Sequence, residues 1–127
     1  MIDFKNGSVF KLKKNDKAGA GEVKELLVDD EYVIGSYKAV RDYVVFTNKR
    51  IIAVNIQGMT GSKRDFTSLP YSKIQAFSVE TAGLVSFDGT IDSELDLLFS
   101  TLGTVRFEFS KEIDIKEICK TLSSYIL

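Results

Sequence analysis

The feature that most constrains this chain is a pair of alternating apolar rows near its end, Leu95, Leu97 and Phe99 followed by Val105, Phe107 and Phe109. Apolar residues at every second position describe a strand with one buried face, and two such rows around a glycine describe a hairpin. A two-residue turn at Leu102-Gly103 would set the rows on opposite faces. A three-residue loop, Thr101-Leu102-Gly103, instead pairs Phe99 with Val105, Leu97 with Phe107 and Leu95 with Phe109, and Gly103 suits the left-handed position such a loop requires. The three-residue loop is the expectation.

Upstream, β-branched and aromatic runs over 32–40, 43–47 and 50–56 predict further strands, with a hairpin around Asn48-Lys49. Val45 then faces Ile52 and Tyr43 faces Val54 on one side, while Phe46 faces Ile51 on the other. Both faces are apolar, so the hairpin needs cover on both sides. Strands are also expected at 64–69, ended by Pro70, and at 73–81, with a long acidic loop over 82–93. The chain should close with a helix. Asp114 is its cap, Glu117 completes a capping box, Ile113 and Ile118 form a staple, and Ile115, Ile118, Cys119, Leu122 and Ile126 form one stripe.

Residues 1–21 carry Lys11, Lys13, Lys14 and Lys17 among glycines with no sustained period, and read as a loosely packed arm. Val23, Leu26 and Leu27 follow at helical spacing and predict a short amphipathic helix lying on the sheet. The folded domain is therefore expected over 22–127.

Composition removes several functions. With no histidine there is no Ser-His or Cys-His pair and no imidazole ligand, so an enzyme is not expected. A net charge of −1 supplies no field for nucleic acid. The lone Cys119 cannot form an internal disulfide, and the first residues lack a secretory pattern, so a reducing cytoplasm is expected. Glu80, Asp88, Asp92, Glu94 and Asp96 lack the ordered spacing of a calcium loop and read as solvated acids, and neither a metal nor a cofactor is expected. Gly58 to Gly61 lacks the spacing of a phosphate-cradling loop.

About seven short strands and a closing helix outline a small barrel. The local blocks Arg41-Asp42, Phe46-Thr47-Asn48-Lys49-Arg50, Gln57-Gly58-Met59-Thr60-Gly61-Ser62-Lys63, Leu69-Pro70-Tyr71-Ser72-Lys73-Ile74 and Phe77-Ser78-Val79-Glu80-Thr81-Ala82-Gly83, in that order, resemble the bacterial pleckstrin-homology (PH) domain family. Between Gly83 and Leu95 the chain departs from that pattern by a lengthened acidic turn. The resemblance implies a mostly β, PH-like barrel of two near-orthogonal antiparallel sheets closed by the C-terminal helix. It also implies cyclic homo-oligomers, no enzymatic activity and no settled ligand.

The expected function is thus a binding and assembly module. Its candidate interaction surface is Arg41, Asp42, Lys49, Arg50, Lys63 and Arg64, with a protein as one possible partner. Its candidate oligomer interface is the row Val44, Phe46, Ile51 and Ala53. The alternative is a peripheral membrane adaptor that binds anionic lipid through the basic turns, which leaves membrane contact open. The loop between the first two strands holds just Lys38 and Arg41 as bases, which argues against phosphoinositide binding.

Overall fold

In a computed structural model, which describes residue 1 and residues 9–81 and 92–127, the chain is mostly β with a C-terminal helix. The strands are β1 (Val9–Lys14), β2 (Val33–Lys38), β3 (Tyr43–Thr47), β4 (Arg50–Gln57), β5 (Lys63–Pro70), β6 (Ala76–Glu80), β7 (Ser93–Phe99) and β8 (Gly103–Phe109). Two helices, α1 (Asp16–Ala20) and α2 (Ile115–Ile126), and two 3₁₀ turns, Glu22–Leu26 and Tyr71–Lys73, complete the described elements. Residues 82–91, most of the acidic loop expected over 82–93, lie outside the described residues, as does Asp88.

The strands form one sheet in the order β5-β4-β3-β2-β1-β8-β7-β6. Among the described residues this order is open: β5 and β6 are its edges and do not pair with one another, so the sheet is not the closed barrel expected from sequence. The meander β2 to β5 and the meander β6 to β8 are joined by β1, which pairs antiparallel with β2 and parallel with β8. One core nevertheless takes Val44, Phe46, Ile51 and Leu69 from the first meander and Leu95, Leu97, Phe107 and Phe109 from the second. The sheet therefore wraps around its own apolar face.

The strand β1 lies where a loose arm is expected. Leu12 is fully buried in the core, and the Ser110 N–H donates to its carbonyl at 3.0 Å. The alternation that would reveal a strand is interrupted at Lys11, which has φ +51°, and the pairing with β8 shifts register between Val9 and Leu12. A left-handed residue within a bulge breaks the period of two that sequence reading depends on.

In place of one amphipathic helix over Val23, Leu26 and Leu27, the chain makes the short helix α1, capped by Asn15, and then the 3₁₀ turn. Val23 is buried, whereas Leu26 is exposed. Gly19 lets α1 lie directly on β2, since a Cβ there would stand 2.9 Å from Val33 Cγ1.

The β3–β4 hairpin has the expected register, with Val45 opposite Ile52, Tyr43 opposite Val54 and Phe46 opposite Ile51. The β7–β8 register differs by two residues, with the loop displaced by one. Phe99 faces Gly103, Leu97 faces Val105 and Leu95 faces Phe107, so the loop comprises residues 100–102. A displacement of two residues along one strand preserves side-chain parity, and both apolar rows still enter the core. Gly103 does hold the left-handed conformation, at φ +78°.

Asp114 caps α2 by accepting from the Lys116 N–H at 3.1 Å. Ile115, Ile118 and Leu122 are buried in the common core, Ile113 and Ile126 pack against it, and Cys119 is half-buried.

Candidate interaction surface

The four residues expected at a subunit interface are interior. Val44, Phe46, Ile51 and Ala53 are at most 2% exposed and belong to the core shared by both meanders. It is the opposite row, Tyr43, Val45, Ile52 and Val54, that faces away from this core, and Val23, Ala18 and Leu27 cover it. Sequence parity shows two apolar rows but not which of them looks inward, and so the rows are exchanged relative to expectation.

Of the six candidate interaction residues, four are engaged within the chain. The Glu31 carboxylate accepts from Arg50 Nε at 2.9 Å, Arg50 Nη2 at 3.0 Å, Thr47 Oγ1 at 2.7 Å and the Val28 N–H at 3.1 Å. Arg50 also donates to Ser68 Oγ and the Leu26 carbonyl, both at 2.9 Å. This arrangement ties the 3₁₀ turn to β4 and β5. Burial pushes the Glu31 carboxyl up, but the hydrogen bonds from Arg50, Thr47 and Val28 and the arginine charge outweigh it, and the net shift is downward.

Arg41 donates to the Gly58 carbonyl at 2.8 Å, bracing the β4–β5 turn, where Gly58 and Gly61 have positive φ. Asp42 accepts from the Ile56 N–H at 3.0 Å and Asn55 Nδ2 at 3.1 Å. Arg64 pairs with Glu22 at 3.1 Å, and Glu22 accepts from the Tyr43 hydroxyl at 2.5 Å. Lys49 and Lys63 remain exposed, but they lie at opposite ends of β4, since Lys49 precedes it and Lys63 pairs with its last residue, Gln57. The basic turns do not converge.

The acidic residues divide in the same manner. Arg106 makes a two-pronged contact with Asp96 at 2.8 and 2.9 Å and stands 3.7 Å from Glu94, while Glu80 is exposed. Among the described residues no group of three Asp, Glu, Cys or His side chains is placed to hold a metal ion.

The structure also holds a cleft that sequence reading missed. It has a volume of about 250 Å³ and lies between β2 and the first turns of α2, over Tyr37, Phe46, Ile113 and Ile118. Tyr37 forms its wall, held edge-on against Phe46 and Phe109 with ring centres 5.6 and 5.3 Å away. The contributing elements are far apart in sequence, and Gly35, whose missing side chain helps to open the cleft, gives no pattern of its own. Among the described residues no helix is long and apolar enough to cross a membrane.

Comparison with known proteins agrees with this architecture. The chain is 45% identical over 105 residues to the uncharacterized protein YjqA of Bacillus subtilis (strain 168), covering 81% of each, and 32% identical over 107 residues to YozO of the same organism, covering 84% of this chain and 89% of YozO. A DUF1696 family protein with a pleckstrin-homology domain from Shewanella loihica PV-4 superposes with a TM-score of 0.76 at 37% identity, over 95% of this chain and all of that one. The pleckstrin homology domain from Shewanella amazonensis SB2B gives 0.64 at 40% identity, over 96% and 93%. The model of the family described as bacterial PH domain matches residues 3–126, so the chain belongs to the bacterial PH domain family.

Proposed function

We propose that this domain is a non-enzymatic binding and assembly module whose copies join through the two free edges of the sheet. The observation that carries this reading is the open strand order, with β5 at one end and β6 at the other and no partner strand on either outer side among the described residues. An unpaired edge offers a row of backbone donors and acceptors to another strand. Because the two edges differ in sequence, joining β5 of one copy to β6 of the next is a head-to-tail contact, which repeats and closes into a ring when the rotation permits. Phe66 on β5 and Leu98 beside β6 are exposed apolar residues near these edges. In this reading the two meanders act as two near-orthogonal sheets of a PH-like barrel, bridged at one corner by β1. The absence of histidine and the internal pairing of Arg50, Arg64 and Arg106 support a role without catalysis. A reducing cytoplasm suits the unpaired Cys119.

Light scattering coupled to size exclusion tests the reading. The expected mass is a multiple of 14.2 kDa beyond the dimer, falling to one chain when Phe66→Lys and Leu98→Lys are combined. A mass near 14.2 kDa for the wild type at micromolar concentrations would refute assembly. A dimer would refute the ring.

A further inference from the structure

We propose that the cleft between β2 and α2 is a docking site for an extended peptide that carries one large apolar side chain flanked by lysine or arginine. This rests on the reading of the domain as a binding module, but it uses a surface distinct from the outer edges of the sheet.

The backbone comes first. β1 pairs with β2 through Lys13 opposite Lys38 and Lys14 opposite Tyr37, and the Asn15 N–H donates to the Ser36 carbonyl at 2.9 Å. There the chain leaves the strand for α1, whose Gly19 packs against the side chains of Val33 and Ser36. Upstream, residues 33–35 of β2 pair with β3 on one side, and no strand lies along the other among the described residues. A second extended chain can complete such an edge, taking its main-chain hydrogen bonds from the edge and its selectivity from adjoining pockets.

The adjoining pocket is the cleft. Its 250 Å³ falls below the roughly 300–1,000 Å³ of sites that take drug-sized ligands, which suits one side chain and not a cofactor. Its lining of Ile34, Tyr37, Phe46, Ile113 and Ile118 calls for an apolar group. Gly35 keeps it open, since a Cβ there would stand 3.3 Å from the Tyr37 hydroxyl. Ile34, on the lining, also presents exposed apolar surface.

Charge selects the flanking residues. Glu112, Asp114 and Glu117 line the same cleft, and the one base among the lining residues, Lys14, lies 3.7 Å from Asp16 and 5.9 Å from the centre of the Tyr37 ring. The mouth carries an excess of negative charge, which favours a basic peptide and repels an acidic or phosphorylated one.

The test is selection of a random nonapeptide library displayed on phage against the wild-type protein, with counter-selection on Gly35→Val. Gly35 has no positive φ, and valine suits a strand, so this variant fills the cleft without backbone strain; an unchanged melting temperature verifies its fold. Enriched sequences should place a large apolar residue between lysines or arginines. Synthetic copies should bind Gly35→Val and Glu117→Lys at least about tenfold more weakly by fluorescence anisotropy, and should perturb the amide resonances of residues 33–35 in the wild type. Failure to enrich, enrichment of acidic sequences, or equal binding to Gly35→Val would overturn the proposal. A fall in the mass of the free protein caused by Gly35→Val would show that a second copy fills the cleft, which overturns the peptide assignment while leaving assembly standing.

Discussion

The β3–β4 hairpin and the β7–β8 hairpin are both rich in apolar residues, yet the structure uses them differently. Every residue of β3 from Tyr43 to Thr47 is buried, as are Ile51 to Val54 of β4. In β7 and β8 burial alternates, with Leu95, Leu97, Val105 and Phe107 inside and Leu98, Thr104 and Arg106 outside. The first hairpin is a middle layer between the common core and the segment carrying Ala18, Val23 and Leu27, and the second is an outer wall. A middle layer has no solvent-facing row on which to place polar groups, so the charges of the first meander gather at its margins and bond inward. An outer wall carries its charges on its face.

The largest expected effect is on parity. Val44→Asp and Val45→Asp, on opposite faces of β3, should each cost more than about 4 kcal/mol, because each buries an unpaired carboxylate. On the second hairpin, Leu97→Asp should be as severe, whereas Thr104→Asp on the outer side of β8 should cost about 1 kcal/mol or less. Urea denaturation followed by circular dichroism measures all four. Tolerance of Val45→Asp would mean that the N-terminal segment does not cover β3 in solution, and the comparison would fail.

Next in size is the tie at the margin of the middle layer. Arg50→Met leaves the Glu31 carboxylate, whose side chain has no exposure, without its cation, at a cost of about 3–5 kcal/mol. The acid branch of the stability curve gives an independent check. Glu31 has a folded pKa below its ordinary value, so its contribution is fully present above the unfolded value, about 4.5, and is lost as the pH falls through the folded one. Glu31→Gln should therefore lose stability relative to wild type near neutrality and converge on it in acid. A constant difference at all pH values would assign the loss to packing.

What sequence shows and what it hides follows from the same contrast. Alternation in β7 and β8 is a local signal, and so are Asp114 as the cap of α2 and the Val45–Ile52 register. The inward row of β3–β4 is not local, because it depends on which later segment arrives on each side, and Val23 and Phe107 are remote from both. Arg50 looks like an exposed turn base because its acceptor, Glu31, lies 19 residues away across a change of element. The strand β1 is hidden by Lys11, and the β2–α2 cleft by being assembled from both ends of the chain.

A smaller effect sharpens the hairpin that was legible. Gly103 has φ +78°, and a Cβ built there meets nothing within 4 Å, so the cost of a side chain is backbone strain without a clash. Gly103→Val should cost about 1–3 kcal/mol. Gly103→Asn should recover much of that, since asparagine tolerates the left-handed region. Equal losses in the two variants would show that space, and not φ, governs the site.

The smallest effect belongs to the outer face of the wall. Arg106 and Asp96 face one another across β7 and β8 with two-pronged geometry, but the guanidinium is about half exposed, and exposed pairs contribute little because water and salt screen them. Arg106→Gln should shift the urea midpoint far less than Arg50→Met. Its deficit should run with pH in the same direction as that of Glu31→Gln, but for a different reason. Burial first, and then the charges of Glu94 and Asp92, hold the Glu108 carboxyl above its ordinary range, while Arg106 draws it down. Without Arg106 the folded-state pKa of Glu108 rises further, and an acid with a raised folded pKa favours the folded state increasingly as the pH falls from that value towards the unfolded one. The deficit of Arg106→Gln should therefore be greatest near neutrality, shrink on acidification, and shrink also in added salt as repulsion among Glu94, Asp96 and Glu108 is screened. A loss as large as that of Arg50→Met, insensitive to salt, would mean that this face is covered in solution, making β7–β8 a second middle layer.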